Sequence, residues 1–108
     1  MENGLYSVRF AAKGAAGAGV VVLQDGQLRG GDSGSYYRGT YSAEDGSFSA
    51  NIAIRTHTMT SSLGFVFGED GTDMTLVGTS SETTAEVEGT SAKFPGVVFN
   101  CRLERIAD

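Results

Sequence analysis

Residues 19–41 read GVVVLQDGQLRGGDSGSYYRGTY, and this stretch contains the strongest structural signals in the sequence. Two apolar segments meet at Asp25-Gly26. This pair is typical of a two-residue type I′ turn, because both central positions need a positive φ, which Asp tolerates and Gly adopts freely. Gly30 and Gly31 then interrupt the next strand, as glycine does at a bulge or a barrel corner. The stretch therefore predicts a hairpin, a corner and a strand that contains tyrosines.

Most of the remaining chain alternates apolar and polar residues, which is the period of a half-buried strand. Asp45-Gly46 and Asp70-Gly71 repeat the turn signal. The predicted strands are residues 5–12, 20–23, 27–29, 35–42, 47–57, 74–79, 83–90 and 96–106. Residues 13–18, KGAAGA, predict a flexible connection, and residues 58–68 predict a loop with some helix.

About eight short strands without a long amphipathic helix predict an all-β protein, and 108 residues suit a single domain spanning residues 1–108. An antiparallel meander is the simplest topology. Left open, it would expose two unpaired edge strands, whereas closure into an up-and-down β-barrel removes both edges. An eight-stranded barrel is filled by side chains or holds one small ligand. A β-sandwich is the alternative.

Charge and cysteine content limit the classes of function. The chain has 8 basic and 13 acidic residues and a net charge of −5, which disfavours direct binding to nucleic acid. One cysteine excludes an intramolecular disulfide, and this is typical of a reducing compartment such as the cytoplasm. The sequence shows neither a signal-peptide pattern nor a run of about 20 apolar residues, so we expect a soluble protein without a membrane span.

Two glycine-rich motifs resemble catalytic or phosphate-binding loops, but their context is wrong. Residues 30–34, GGDSG, are superficially similar to the nucleophile loop of serine proteases. In those enzymes the histidine precedes the serine, whereas His57 follows Ser33 here, and the chain is too short for their fold. We expect Asp32 to bond nearby backbone N–H groups instead. Residues 14–19, GAAGAG, lead into a strand and not into the helix that a phosphate site needs.

Neither His57 nor Cys101 predicts a chemical site. Zinc sites normally recruit three or four ligands, and the chain has one histidine and one cysteine. A cysteine on an apolar strand face is typically a buried, protonated hydrophobe. No nucleophile, base and orienting group can be assembled, so we expect no enzyme activity, no metal and no cofactor.

Two candidate binding regions remain. Glu44-Asp45 lies at a predicted hairpin tip, where its charges serve either solubility or the docking of a basic partner. Tyr36, Tyr37 and Tyr41 suit core packing, a cavity or a dimer interface. The residues that we expect to line the barrel interior, and to contact an apolar ligand if one binds, are Tyr37, Phe48, Ile52, Met74, Phe99 and Leu103.

Four segments together resemble the GrlR-type family, the negative regulators of type III secretion gene expression and their short relatives. The segments are NGLYSVRF (residues 3–10), GAGVVVLQDGQLRGGDSGSYYRGTY (17–41), DGSFSANI (45–52) and RTHT (55–58). The resemblance covers nearly the whole chain. Its motifs are structural, so they are stronger evidence for a fold than for an activity.

The resemblance implies an eight-stranded, lipocalin-like β-barrel without enzyme activity that forms a homodimer. It also implies a barrel interior suited to an apolar or lipid-like molecule. Regulators of this kind sequester a helix-turn-helix transcriptional activator through an acidic run after the tyrosine strand. In this sequence Glu44 and Asp45 occupy that place, and Gly46 and Ser47 break the run. The first hypothesis is therefore a regulator that docks a basic partner, and the alternative is a carrier or sensor of an apolar small molecule.

Overall fold

A computed structural model of the chain describes residues 1–12, 14–58 and 71–108, which form one closed antiparallel β-barrel. Each strand pairs with the next one in sequence, and β8 pairs with β1. The strands are β1 (Gly4–Ala12), β2 (Ala15–Gln24), β3 (Gln27–Gly31), β4 (Ser35–Glu44), β5 (Ser47–Thr56), β6 (Thr72–Ser80), β7 (Thr84–Thr90) and β8 (Phe99–Ala107). The all-β, up-and-down barrel is thus confirmed, and closure of the sheet excludes the β-sandwich. Nowhere in the described ranges is there a helix long and apolar enough to cross a membrane.

Two Asp-Gly pairs form the tight turns that the sequence predicts. Asp25 and Gly26 have φ values of 50° and 84°, and Asp45 and Gly46 have φ values of 53° and 80°. Positive φ at both central residues is the signature of the type I′ turn, whose twist matches that of the flanking strands. These turns fix the registers of the β2–β3 and β4–β5 hairpins.

The barrel interior is filled by the inward face of every strand, as the alternating patterns predict. On β1 the inward residues are Tyr6, Val8 and Phe10, and on β5 Phe48, Ala50 and Ile54 are buried. The other buried hydrophobic residues are Val21, Leu23, Leu28, Tyr37, Met74, Leu76, Ala85, Val87, Phe99 and Leu103. One continuous apolar core therefore stabilises the barrel.

Residues 13–18 are not the flexible connection that their composition predicts. Strand β2 begins at Ala15, and residues 15–18 pair in register with residues 9–12 of β1. Alanine and glycine have low β-propensity, but pairing with a neighbouring strand overrides that preference. Lys13 lies outside the described residues, as do residues 59–68 of the predicted loop with some helix.

The last strand starts later than its pattern predicts, at Phe99 and not at residue 96. Gly96 has a φ of 82°, in the left-handed region, so the backbone turns there before it becomes extended. Val97 still packs against the core, which explains why the apolar alternation continues upstream of the strand.

Gly30 and Gly31 do not interrupt β3 but belong to it, paired with Val21 and Val20. A Cβ added at Gly30 would lie 2.0 Å from the Val20 carbonyl oxygen, so glycine is required by the close approach of the two strands. Strand β3 ends at Gly31, and residues 32–34 connect it to β4. The predicted corner is therefore displaced towards Asp32.

Candidate partner-binding surface

Carboxylates from distant parts of the sequence meet at one end of the barrel. In an up-and-down barrel every second connection lies at the same end, so the β2–β3, β4–β5 and β6–β7 turns share one end. Both chain termini also lie there, because β1 begins and β8 ends at that end. We call this the acidic end, and its exposed carboxylates belong to Glu2, Asp25, Glu44, Asp45, Glu82 and Asp108.

Hydrogen bonds from the N-terminal residues to the β2–β3 and β6–β7 turns hold part of the acidic end together. The Asn3 side-chain amide donates to Asp25 Oδ1 at 3.1 Å, and the Asp25 backbone N–H donates back to Asn3 Oδ1 at 3.1 Å. The Glu2 amide donates to the Glu82 carbonyl oxygen at 2.8 Å. These bonds tie the N-terminal residues to two separate turns, so several of the carboxylates sit on a fixed frame.

Arg105 compensates part of this negative charge. Its guanidinium lies 3.8 Å from Glu2 Oε2 and 3.2 Å from Asp108 Oδ1. Glu44 and Asp45, in contrast, make no ion pair with any described residue. The two carboxylates that the sequence singles out are therefore exposed at a hairpin tip without an ion pair to any of those residues, and their binding role stays a prediction.

The sequence pattern singles out the Glu44-Asp45 pair alone and does not show that Glu2, Asp25 and Asp108 lie at the same end of the barrel. The order of the turns along the chain could have shown this, because every second turn of an up-and-down barrel lies at the same end. Glu86 and Glu88 lie elsewhere, on the outer face of β7. Glu86 there forms an ion pair of 2.5 Å with Arg102.

The interior contains a small apolar cavity of about 40 Å³. Of the predicted lining residues, Tyr37, Ile52, Met74, Phe99 and Leu103 line it. Phe48 does not; its ring stacks on Tyr41 with the ring centroids 5.8 Å apart. A water molecule occupies roughly 30 Å³ in the liquid, whereas drug-sized ligands bind in cavities of about 300–1,000 Å³. Side chains therefore fill most of the interior in this structure.

The three tyrosines of β4 have different surroundings. Tyr37 points inward and is buried, and its hydroxyl donates a hydrogen bond to Asp32 Oδ2. Tyr41 is partly buried against the core, whereas Tyr36 points outward and is exposed. Core packing thus accounts for Tyr37 and Tyr41 but not for Tyr36.

The GGDSG loop has a structural role, as the sequence predicts. Asp32 Oδ1 accepts hydrogen bonds from the backbone N–H groups of Gly34 at 2.9 Å and Ser35 at 2.8 Å. The His57 ring contacts the same loop, with Nε2 3.0 Å from the Asp32 carbonyl oxygen and Nδ1 2.7 Å from Thr58 Oγ1. Asp32 and His57 therefore stabilise the connection between β3 and β4.

Cys101 is a poor nucleophile in this fold. Burial raises the pKa of its thiol from 9.0 to about 11, so the thiol is protonated at neutral pH. Across residues 1–12, 14–58 and 71–108, no group of three or more His, Cys, Asp or Glu side chains is arranged to hold a metal ion.

Comparison with known proteins identifies one family. A family model described as "T3SS negative regulator, GrlR" matches residues 1–68, which is more than half of the chain. The matched region includes β1 to β5, both type I′ hairpins and the Glu44-Asp45 tip. No curated protein matches the chain.

Proposed function

The chain belongs to the GrlR family of type III secretion negative regulators, and we propose that it acts without catalysis, by docking a basic partner protein on its acidic end. The partner class that we propose is a helix-turn-helix transcriptional activator. One observation carries the proposal: the barrel topology places the exposed carboxylates of Glu2, Asp25, Glu44 and Asp45 at the same end.

The chemistry of the partner supports this pairing. A helix-turn-helix protein binds DNA through Arg and Lys side chains that contact phosphates, so its DNA-binding face is basic. An acidic protein surface attracts that same face and competes with DNA for it. Negative regulation then follows because the barrel occupies the DNA-binding face of the activator, and no chemical reaction is needed.

Glu44 and Asp45 are the residues to alter first, because they face solvent without an ion pair among the described residues. Asp45 has a φ of 53°, so the substitution must tolerate the left-handed region. Asn does so, whereas a bulky residue does not. We therefore choose the double variant Glu44→Gln/Asp45→Asn, which removes both charges and leaves the turn intact.

Surface plasmon resonance with a purified helix-turn-helix activator of type III secretion genes tests the proposal. We expect the double variant to bind about ten-fold more weakly at low salt, mainly through slower association. Raising the salt concentration should narrow the difference, because exposed charges are screened.

Glu88→Gln is the matched control, since Glu88 is an exposed carboxylate on the wall of β7, away from the acidic end. It should leave binding unchanged. An equal loss for the control and the double variant, or activator binding unaffected by both, would contradict docking at the acidic end.

The alternative function, carriage or sensing of an apolar or lipid-like molecule, is supported by the apolar lining of the internal cavity. At about 40 Å³ that cavity needs inward side chains to move before it admits such a ligand. Native mass spectrometry of the freshly purified chain decides between the two: a reproducible added mass favours a carrier, and the bare chain mass in every preparation contradicts it.

We also propose that the chain forms a homodimer in the cytoplasm. The family resemblance supports the dimer, and the single cysteine supports a reducing compartment. Light scattering should give twice the chain mass of 11.2 kDa, and a value equal to that mass would contradict the dimer.

A further inference from the structure

Two arginines lie directly opposite each other on the outer wall of the barrel. Arg29 on β3 and Arg38 on β4 are register partners, and both side chains are exposed. Side chains opposite each other on one sheet face have Cβ atoms about 4.5–5.5 Å apart, and like charges in this position destabilise the sheet. The Arg29–Arg38 pair therefore does not stabilise the isolated barrel.

Arg55, Arg102 and Arg105 form ion pairs with carboxylates, and Arg9, which forms none with a described residue, lies opposite the paired Arg102. Arg29 and Arg38, in contrast, lie opposite each other. Arg55 pairs with Asp73 at 2.8 Å and Arg102 pairs with Glu86 at 2.5 Å. Arg29 and Arg38 have no ion pair with any described residue. Strands β2, β3 and β5 contain no Asp or Glu at all, and β4 contains only Glu44 at its end.

Exposed apolar side chains flank the two arginines. Val22 is the register partner of Arg29, and Tyr36 lies two residues before Arg38 on the same side of β4. Val20, Val22 and Tyr36 are 43%, 42% and 43% exposed. We call this surface the arginine face; it comprises Val20, Val22, Arg29, Tyr36 and Arg38.

The composition of the arginine face is that of a protein interface. Tyrosine and arginine are enriched at interfaces and among the residues that dominate binding energy. Guanidinium groups bind carboxylates through paired, charge-assisted hydrogen bonds. An apolar surface beside them favours a partner that also brings apolar side chains.

We propose that the arginine face is a second docking surface, which binds an acidic segment of a partner protein that carries both carboxylates and apolar side chains. A second copy of this chain, placed on the same face, would set the two guanidiniums of one copy against those of the other. Nucleic acid fits poorly, because the whole chain carries a net charge of −5.

This surface is separate from the acidic end. Arg38 and Glu44 are six residues apart on the same strand, which corresponds to about 20 Å. That distance exceeds the Debye length of about 8 Å at physiological ionic strength, so exposed charges at the two places act nearly independently. The barrel can thus hold a basic partner at one site and an acidic partner at the other.

Backbone amide NMR of the full chain tests the proposal with a short capped peptide that alternates glutamate and leucine. We expect amide shifts clustered on β2, β3 and β4, and we expect Arg29→Glu or Arg38→Glu to weaken binding about ten-fold each. Arg9→Glu is the matched control, since Arg9 is an exposed arginine of β1 outside this face. It should leave binding unchanged, as should Glu44→Gln/Asp45→Asn, which keeps this test independent of the proposed function.

Three comparison probes complete the experiment. A peptide with lysine in place of glutamate should not bind, and neither should a thymidine oligonucleotide. Failure of the glutamate peptide to shift these amides at millimolar concentration would overturn the proposal. Tighter binding of the oligonucleotide to the same amides would also overturn it, in favour of a nucleic-acid site.

The stability of the free protein gives a second readout. Arg29→Glu places a carboxylate opposite Arg38 and so converts a repulsive cross-strand pair into an attractive one. The variant should therefore melt at a higher temperature than the native chain while binding the glutamate peptide more weakly. A lower melting temperature would show that Arg29 serves the fold, which contradicts the proposal.

Discussion

At the scale of single residues, the two turn aspartates have the same backbone conformation but different surroundings. Asp25 exchanges two hydrogen bonds with Asn3, so its carboxylate is partly engaged within the barrel. Asp45 has no hydrogen bond or ion pair with a described residue. Since both have a φ near 50°, geometry alone does not distinguish them, and their neighbours decide which one is available to a partner.

Cys101 gives the fold a predictable sensitivity to alkaline pH. Burial raises the pKa of its thiol from 9.0 to about 11, so between these values the unfolded chain loses the proton that the folded chain keeps. The stability that this contributes is complete below pH 9 and is lost as the pH rises towards 11. It amounts to about 3 kcal/mol. The pKa of Tyr6 is also raised, mainly by burial, and acts in the same direction.

We therefore expect Cys101→Ala to flatten, without abolishing, the fall in unfolding free energy between pH 9 and 11. Urea denaturation at a series of pH values measures this slope. Deleting the sulfur atom changes the unfolding free energy by the same amount at every pH. Comparing the slopes of unfolding free energy against pH therefore removes this constant change. A variant whose slope equals that of the native chain would show that the thiol does not cause the pH dependence.

At the scale of elements, hairpins follow from local sequence, whereas strand ends do not. Asp25-Gly26 and Asp45-Gly46 specify their turns within two residues, because few other pairs adopt positive φ twice. Residues 15–18 form a strand because β1 lies beside them. The β-propensities of alanine and glycine are low and do not predict it. The predicted corner at Gly30-Gly31 moved to Asp32 for a similar reason, since close contact with β2 requires glycine inside β3.

The connection between β3 and β4 depends on Asp32. Replacing it with alanine removes the acceptor for two backbone N–H groups and leaves the buried Tyr37 hydroxyl without its partner. We expect Asp32→Ala to lower the unfolding free energy by about 2–3 kcal/mol, measured by urea denaturation. Asp73→Ala, which breaks an exposed ion pair with Arg55, should cost at most about 1 kcal/mol.

A double-mutant cycle with Tyr37→Phe separates the two parts of the Asp32 effect. Once the hydroxyl is absent, Asp32→Ala should cost about 1 kcal/mol less than it does in the native chain. Additive losses would show that the contact between Tyr37 and Asp32 contributes nothing to stability.

At the scale of the whole molecule, barrel closure creates both of the surfaces that we propose for partner binding. The sequence predicts the barrel, the interior residues and the exposed Glu44-Asp45 tip, since each depends on local alternation or on one turn. The acidic end joins Glu2 and Asp108 from opposite ends of the chain, and the arginine face joins two strands through their register. Both surfaces require the strand order and pairing, which the residue pattern alone leaves open.

We expect the acidic end of this GrlR-family barrel to hold a basic partner protein. The most direct measurement is backbone amide NMR of the full chain during titration with a purified helix-turn-helix activator. We expect shifts to concentrate at residues 25–26, 44–46 and 81–83, and we expect Glu44→Gln/Asp45→Asn to need about ten-fold more activator to reach the same shifts. Shifts confined to the opposite end of the barrel, around Asp32 and His57, or no shifts at saturating activator, would contradict it.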